Sequence, residues 1–157
     1  MAQGDVEVFD SFIQYSFEGN AENPFDLGAT PDTLKCAIVN NSTVPATTTA
    51  DPCWGAGGTT NFATNEQSGG SFTAGGLALS SPAVTDAAGV IQLDFGDPAT
   101  WTKNASNPTT CFWGIIYSDT ATNKNCIGYV DLGGSFDATT GDLTITWGAP
   151  FMTADQA

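Results

Sequence analysis

The run Cys111-Phe112-Trp113-Gly114-Ile115-Ile116-Tyr117 is apolar throughout and lies between polar segments. In a strand with one face in water, apolar and polar residues alternate, because successive side chains point to opposite faces of the sheet. A strand that is apolar at every position is covered on both faces, as the middle strand of a sheet is. We therefore predict that residues 111–117 form a central strand.

Further short runs, before and after this one, also have the pattern of strands. Some of them alternate apolar with polar residues, whereas residues 34–39 and 126–132 are mostly apolar on both faces. These runs are Val6 and Val8; Leu34, Cys36 and Ile38; Leu77 and Leu79; Ile91, Leu93 and Phe95; residues 126–132; and Leu143, Ile145 and Trp147. Turn-forming segments at residues 85–89, 118–125 and 133–141 indicate hairpins. About seven short strands with polar turns predict an all-β fold, an antiparallel β-sandwich, and leave jelly-roll or Greek-key connections open.

The apolar residues of these runs are the predicted core. The predicted core residues are Ile38, Leu79, Leu93, Phe112, Ile115, Ile116, Ile127, Val130, Leu143 and Ile145. Truncating a buried residue of this kind removes apolar contacts and leaves a cavity, so these positions should be sensitive to substitution by alanine.

Helical periodicity occurs once, near the N-terminus. Phe9, Phe12, Ile13, Ser16 and Phe17 follow the spacing i, i+3, i+4, i+7, i+8, which places them on one face of a helix. This predicts one short helix near residues 10–18. Its apolar face either packs on the core or is presented to a partner.

Residues 40–76 interrupt the strand pattern with clusters of Asn, Pro and Gly. A loop of this length in a compact domain is usually functional, and we interpret it as part of a single domain spanning residues 1–157. Its aromatic residues Trp54 and Phe62 either hold the loop down or face a partner. Phe151 and Met152, near the C-terminus, also lie outside any strand pattern. We predict these four residues as interface candidates.

The charge balance excludes several functions. The chain has 3 lysines, no arginine, no histidine and 17 acidic residues, for a net charge of −14. Binding nucleic acid or an anionic membrane requires clustered cations, so neither is expected as a partner. The absence of histidine rules out a Ser-His-Asp triad and histidine-ligated metal sites. No apolar run is long enough for a transmembrane helix.

The remaining residues do not form a recognisable catalytic or cofactor site. Seventeen carboxylates make chance pairs common, so no pair indicates glycoside hydrolysis. Residues 137–142 offer oxygen ligands around a glycine, but a turn between strands needs the same residues. We predict no enzyme, no cofactor and no catalytic or metal-ligating residue, and leave open whether a divalent cation binds.

Four cysteines, at positions 36, 53, 111 and 126, show no metal-binding or redox spacing. The N-terminal residues lack the positive and apolar regions of a secretory signal. Proteins that stay in the cytoplasm keep their thiols reduced. We therefore predict that all four cysteines are free and unreactive.

A series of short motifs, in order along residues 6–147, resembles a family of small β-rich structural proteins of tailed bacteriophages. The motifs are VFDSF (8–12), FDL (25–27), DTLKCAIV (32–39), NEQSG (65–69), FTAGG (72–76), ATW (99–101), IIYSDT (115–120), IGYVDLG (127–133) and GDLTITW (141–147). The chain departs from the family in two places. Residues 111–113 replace a basic-aromatic step, and residues 149–157 replace a final apolar strand found in many members.

The resemblance implies a virion component, and we expect a head decoration, or cement, protein. Such a protein is made in the host cytoplasm and resides on the capsid surface of the virion. Its partners are the major capsid protein and copies of itself, as a dimer or trimer. The resemblance assigns no binding residues.

Two other functions are compatible with the sequence. The same fold would serve a tail, neck or host-binding virion protein. A carbohydrate-binding β-sandwich is a further alternative, and it would need aromatic residues such as Trp54, Trp101 and Trp113 lined along one exposed face.

Overall fold

The computed structural model describes residues 3–18, 25–27 and 31–155. In chain order the elements are β1 (Val6–Val8), α1 (Asp10–Glu18), β2 (Leu34–Val39), β3 (Pro52–Cys53), β4 (Thr60–Asn61), a 3-10 helix (Phe62–Asn65), β5 (Leu77–Ala78), β6 (Ala83–Ala87), β7 (Val90–Asp94), β8 (Cys111–Ser118), β9 (Cys126–Phe136) and β10 (Met152–Asp155). The predicted short N-terminal helix is confirmed, and strands dominate the rest.

Five strands form an antiparallel sheet in the order β1-β9-β8-β2-β5. The apolar run of residues 111–117 lies in β8, the middle strand, which confirms the predicted central strand. Ile116 faces one buried cluster, while Ile115 and Tyr117 face another on the opposite side. Both faces of β8 are therefore covered, as its uniform apolar sequence requires.

A second antiparallel sheet has the order β10-β7-β6. The β6–β7 hairpin closes with the residue pair Ala87 and Val90, so its turn is tighter than residues 85–89, the predicted turn. Both central turn residues have positive φ, 56° at Ala88 and 88° at Gly89. This is the conformation that matches the twist of two-residue hairpins, and the glycine adopts it without strain.

Two clusters of buried side chains lie on opposite faces of the five-stranded sheet. The main core contains Leu34, Ile116 and Val130 of that sheet, together with Leu93 of the second sheet and Phe12 of α1. We call the other the aromatic cluster; it consists of Phe9, Ala37, Val39, Trp54, Phe62, Ile115, Tyr117, Cys126 and Tyr129. Every predicted core residue is buried except Phe112.

Phe112 is only half-buried, so its place in the predicted core is wrong. The pairing of β8 with β9 shifts register between Cys111 and Trp113. Such an irregularity changes the direction of the side chain at the shifted position. Strict alternation along β8 therefore fails at Phe112.

The predicted strand at residues 143–147 does not form. Leu143 makes a single bridge to Trp101, and the backbone N–H of Trp147 donates to the Asp97 carboxylate over 3.1 Å. Beyond this bridge no ladder continues over residues 144–147, and the predicted hairpin at residues 133–141 is absent because β9 extends through Phe136. Leu143 and Ile145 are buried nonetheless.

The C-terminal segment contains a strand that the sequence pattern did not predict. Residues of β10 pair with β7, with Met152 opposite Leu93. Met152, which the sequence pattern left outside any strand, is therefore the first residue of an edge strand. The short strands β3 and β4 were also missed, and they pair in parallel, unlike the antiparallel sheets. Among the described residues, no helix has the length and hydropathy to cross a membrane.

Candidate functional site

Two of the four interface candidates are buried within the molecule. Trp54 stacks on Tyr117 with ring centroids 4.9 Å apart and an interplanar angle of 12°. Phe62 is fully buried, and its ring centroid lies 6.0 Å from that of Phe9. Trp54 and Phe62 therefore hold their part of the 40–76 segment against one face of the five-stranded sheet, whereas Phe72, near the end of the segment, lies in the main core.

Backbone hydrogen bonds attach this segment to the sheet. The N–H of Asn40 donates to the carbonyl of Asn65 over 3.0 Å, and that of Gln67 donates to Ile38 over 2.8 Å. The N–H of Trp54 reaches the carbonyl of Lys124 over 2.8 Å. These contacts satisfy polar groups that would be costly to bury alone, so the segment is a structural layer.

The other two candidates lie at the second sheet. Phe151 is half-buried, with its ring centroid 4.4 Å from that of Phe95 and 5.9 Å from that of Trp147. Met152 begins β10 and is also half-buried. Met152 differs from the other three because it lines an open groove. The role of the four residues as an interface remains a prediction.

An apolar groove lies between α1 and the second sheet, with a volume of about 280 Å³. We call it the helix groove. Its lining residues are Phe12, Ile13, Ser16, Phe17, Leu27, Val84, Ile91, Leu93, Met152, Thr153 and Ala154. Four apolar side chains in it are exposed: Phe17 by 85%, Val84 and Ile91 by 46% each, and Ile13 by 42%. Contiguous exposed apolar surface of this kind marks interaction sites.

On the helical side of the groove, the apolar face of α1 is divided between the core and solvent. Phe12 points into the main core, whereas Ile13 and Phe17 remain in solvent. The helix is tied from its other side, because the N–H of Asp10 donates to Thr47 over 2.9 Å and the Tyr15 hydroxyl donates to Asp51 over 3.0 Å. Both readings of the helix stripe thus apply: one part packs on the core and the rest is open.

The sheet side of the groove follows from strand register. Val84 and Met152 both pair with Leu93, and Asp86 pairs with Ile91. Directly opposed residues in an antiparallel ladder share a face, so these side chains lie together. Sequence pattern alone did not predict this surface, because Met152 and Ala154 join it only through the pairing of β10 with β7.

One carboxylate lies on the sheet face beside the helix groove. Among the residues that the structure describes, none that lines the groove is charged. Asp86 pairs with Ile91 and faces the same side of the sheet as Val84. The salt bridges of the described residues join Lys35 and Lys124 to Asp119 and do not involve Asp86.

The Asp119 pairs lie on the side of the aromatic cluster. Lys35 and Lys124 approach the carboxylate to 2.8 and 2.7 Å. The hydrogen bonds from Lys124 and Lys35 hold the pKa of Asp119 below its usual value. Lys35 pairs with Tyr117, whose ring belongs to the aromatic cluster. Two of the three lysines are therefore occupied away from the groove.

The four cysteines are free and buried, as predicted. Burial raises the pKa of Cys36 to about 12, and burial together with Asp137 raises that of Cys111 to about 11. Thiolate is the reactive form of cysteine. Both thiols are thus held in the form that is a poor nucleophile.

The described residues offer little for metal or sugar binding. No group of three or more Cys, Asp or Glu among them is placed to hold a metal ion. In the turn at residues 137–142, the Asp137 carboxylate accepts from the N–H of Thr139 over 2.9 Å, and that of Asp142 accepts from the N–H of Lys103 over 2.6 Å. These carboxylates cap turns.

Trp54, Trp101 and Trp113 do not line one exposed face. Trp54 and Trp101 are buried, and the indole N–H of Trp113 donates to the Asn41 side chain over 3.0 Å.

No protein-family model, curated protein or solved structure matches the chain with significant similarity. The helix groove is therefore the candidate site, on the strength of its own geometry.

Proposed function

We propose that this protein is a structural component of a tailed-bacteriophage virion, a head decoration protein that binds the outer capsid surface and stabilises the head. The resemblance in motif order over residues 6–147 supports the virion assignment. The helix groove is the observation that carries a binding role, because it leaves Phe17 and its apolar neighbours in water. Burying one such side chain at an interface contributes about 1.5–3 kcal/mol.

The fold is suited to this role if its two antiparallel sheets are the layers of a β-sandwich. Side chains from both sheets, Ile116 from one and Leu93 from the other, share the main core. Packing two sheets through a common core is the principle of a sandwich. We keep the jelly-roll and Greek-key alternatives as finer versions of the same proposal. A rigid unit of this kind can brace neighbouring shell subunits.

The proposed partners are the major capsid protein and further copies of this chain. A net charge of −14 keeps free copies apart in solution. At physiological ionic strength the repulsion is screened beyond about 8 Å, so copies on a shell can lie close together. The cations that balance them then belong to the capsid surface, since this chain has only 3 lysines.

The location and copy number of the protein in purified particles test the proposal. We expect electron cryomicroscopy and quantitative mass spectrometry to find it repeated over the head surface. Particles assembled without it should rupture at lower temperature, or on dilution from salt, than complete particles. Equal resistance of the two particles would contradict the stabilising role. A few copies confined to the tail or neck would instead support the tail, neck or host-binding alternative.

A further inference from the structure

We infer that the helix groove and the open edge of β6 together bind an extended, basic segment of a partner protein, which adds to the second sheet as a fourth strand. The partner segment carries apolar and cationic side chains at alternate positions of one face. This inference rests on the proposed function only in taking the partner to be a capsid subunit. The groove, the strand edge and the surrounding charge carry the rest.

The first observation is that β6 is an edge strand. It pairs with β7 on one side, and no described residue pairs with it on the other. The hairpin turn closes on Ala87 and Val90, and hydrogen-bonded pairs alternate along an antiparallel ladder. Thr85 therefore bonds to Gln92, while the N–H and C=O groups of Val84 and Asp86 point to the open edge. Such an edge accepts a further strand.

The second observation is the position of the groove beside this edge. Val84, Ile91 and Leu93 lie on the sheet face that lines the groove. A strand added to β6 would direct every second side chain to that same face. The apolar residue next to Val84 would then enter the groove, where Phe17 and Ile13 stand across from the sheet. Backbone bonds would set the register, and the groove would select apolar side chains.

The third observation is the charge beside the edge. Asp86 lies two residues from Val84 on the same face, and its carboxylate accepts from the N–H of Gly89 over 3.0 Å. A cationic residue two positions from the apolar anchor would face Asp86, as opposite charges favour in cross-strand pairs. The net charge of −14 adds a long-range attraction for a basic segment.

The same charges disfavour a second copy of this chain as the occupant. The sequence of β6, AVTDA, contains no cation to face Asp86. Among the described strands, a lysine occurs only in β2, which is already paired on both sides by β5 and β8. Copies with a net charge of −14 also repel each other on approach. A basic segment of a different chain would place apolar side chains in the groove and a cation beside Asp86.

The test uses the full-length protein and a fluorescent peptide, VTKTVTKTVT, which places Val and Lys alternately on one face. Binding is followed by fluorescence anisotropy at two salt concentrations. The control peptide VTETVTETVT carries glutamate instead of lysine. We expect the lysine peptide to bind, more tightly at low salt, and the glutamate peptide to bind far more weakly. No binding of the lysine peptide at either salt concentration would overturn the inference.

Two variants separate the strand edge from the charge. Val84→Pro removes an N–H that points to the edge, and the β6–β7 ladder does not use that group. We expect it to weaken peptide binding by about tenfold, because an edge hydrogen bond is lost. Asp86→Asn retains the oxygen that accepts from Gly89 and removes the charge, so it should reduce the salt dependence. Val84→Thr keeps the edge N–H, and its binding should stay closer to that of the wild type.

The outcomes distinguish this inference from the proposed function. If Val84→Pro retains the wild-type circular dichroism spectrum and thermal midpoint but still binds the peptide as tightly as the wild type, the inference is wrong. If Val84→Pro decorates capsids as well as the wild type does, the protein is a decoration protein held by another surface. If the wild type binds the peptide but is absent from heads, the inference stands and the proposed function fails. Dimers that Val84→Pro abolishes, seen by analytical ultracentrifugation, would show that a second copy occupies the edge.

Discussion

The two sides of the five-stranded sheet are covered to different extents. On one side, residues 40–76 place Trp54 and Phe62 over the sheet and close the aromatic cluster. On the other side, α1 and the second sheet cover the main core but leave Phe17 and Ile91 exposed in the helix groove. Aromatic and aliphatic residues occur on both sides, so composition does not distinguish them. A closed side contributes to stability, whereas an open side leaves apolar surface for a partner.

The largest loss of stability is expected when the side chain of Phe62, on the closed side, is truncated. Its side chain is fully buried between the 40–76 segment and the sheet. We expect Phe62→Ala to lower the free energy of unfolding by about 3–5 kcal/mol, through lost contacts and a cavity. Urea titration followed by circular dichroism measures this change. A loss below about 1 kcal/mol would show that the segment does not close this face in solution.

The central strand β8 contributes side chains to both clusters, and substitution of Ile116 measures its contribution to the main core. Ile116 is fully buried in β8, opposite Cys36 of β2. Ile116→Ala should cost about 2–5 kcal/mol in the same urea titration. Ile116→Val is the matched control, and its expected cost is about 0.5–1.5 kcal/mol. If Ile116→Ala is as mild as a surface substitution, at about 0.5 kcal/mol or less, then β8 is not the central strand.

The ion pairs on the closed side give a smaller effect that depends on pH. Lys124 and Lys35 lower the pKa of Asp119 in the folded protein. The stability from these pairs is therefore present above the unfolded pKa and is lost as pH falls through the lower, folded pKa. Asp119→Asn should cost about 0.5–1 kcal/mol at neutral pH. The difference from the wild type should shrink as pH falls below the ordinary pKa of aspartate, about 3.9.

A matched control for this prediction is Asp155→Asn at the end of β10. Asp155 forms no salt bridge with a lysine among the described residues. Urea titrations at several pH values compare the two variants. A cost for Asp119→Asn that stays constant from neutral to acidic pH would argue against a role for the ionised carboxylate.

The smallest change in stability is expected on the open side. Phe17 is 85% exposed, so Phe17→Ala should change the free energy of unfolding by less than about 0.5 kcal/mol. The contrast with Phe62→Ala is a direct test of the comparison, because the same side chain is removed in both. A large destabilisation by Phe17→Ala would show that the groove is filled in the free protein. Phe17→Ala should also reduce the binding of a hydrophobic dye to the folded protein.

Sequence pattern predicted most strands but erred where strand pairing decided the outcome. The alternation of residues 143–147 resembles that of residues 91–95, yet residues 91–94 lie in β7, which pairs with β6 and β10, while the backbone N–H of Trp147 donates to Asp97. Alternation records which residues face the core, and Leu143 and Ile145 do so without a ladder. Burial was therefore easier to predict than strand pairing.

Prediction of the site was less successful for a related reason. Trp54 and Phe62 were selected because no local pattern buries them, but their burial comes from Tyr117 and Phe9, which are distant in the sequence. The helix stripe did contain the exposed residues Ile13 and Phe17. Periodicity shows that these residues share a face with Phe12, and it does not show how far along the helix the covering surface extends.

The sequence by itself determined the mostly β fold, the central strand, the position of the helix and the shortage of cations. These follow from local periodicity and composition, which depend on neighbouring residues. The tertiary structure alone decided that the 40–76 segment is a closed layer and that the groove beside α1 is open. Exposure of an apolar side chain depends on what packs across from it, and for Phe62 and Phe17 that surface comes from remote parts of the chain.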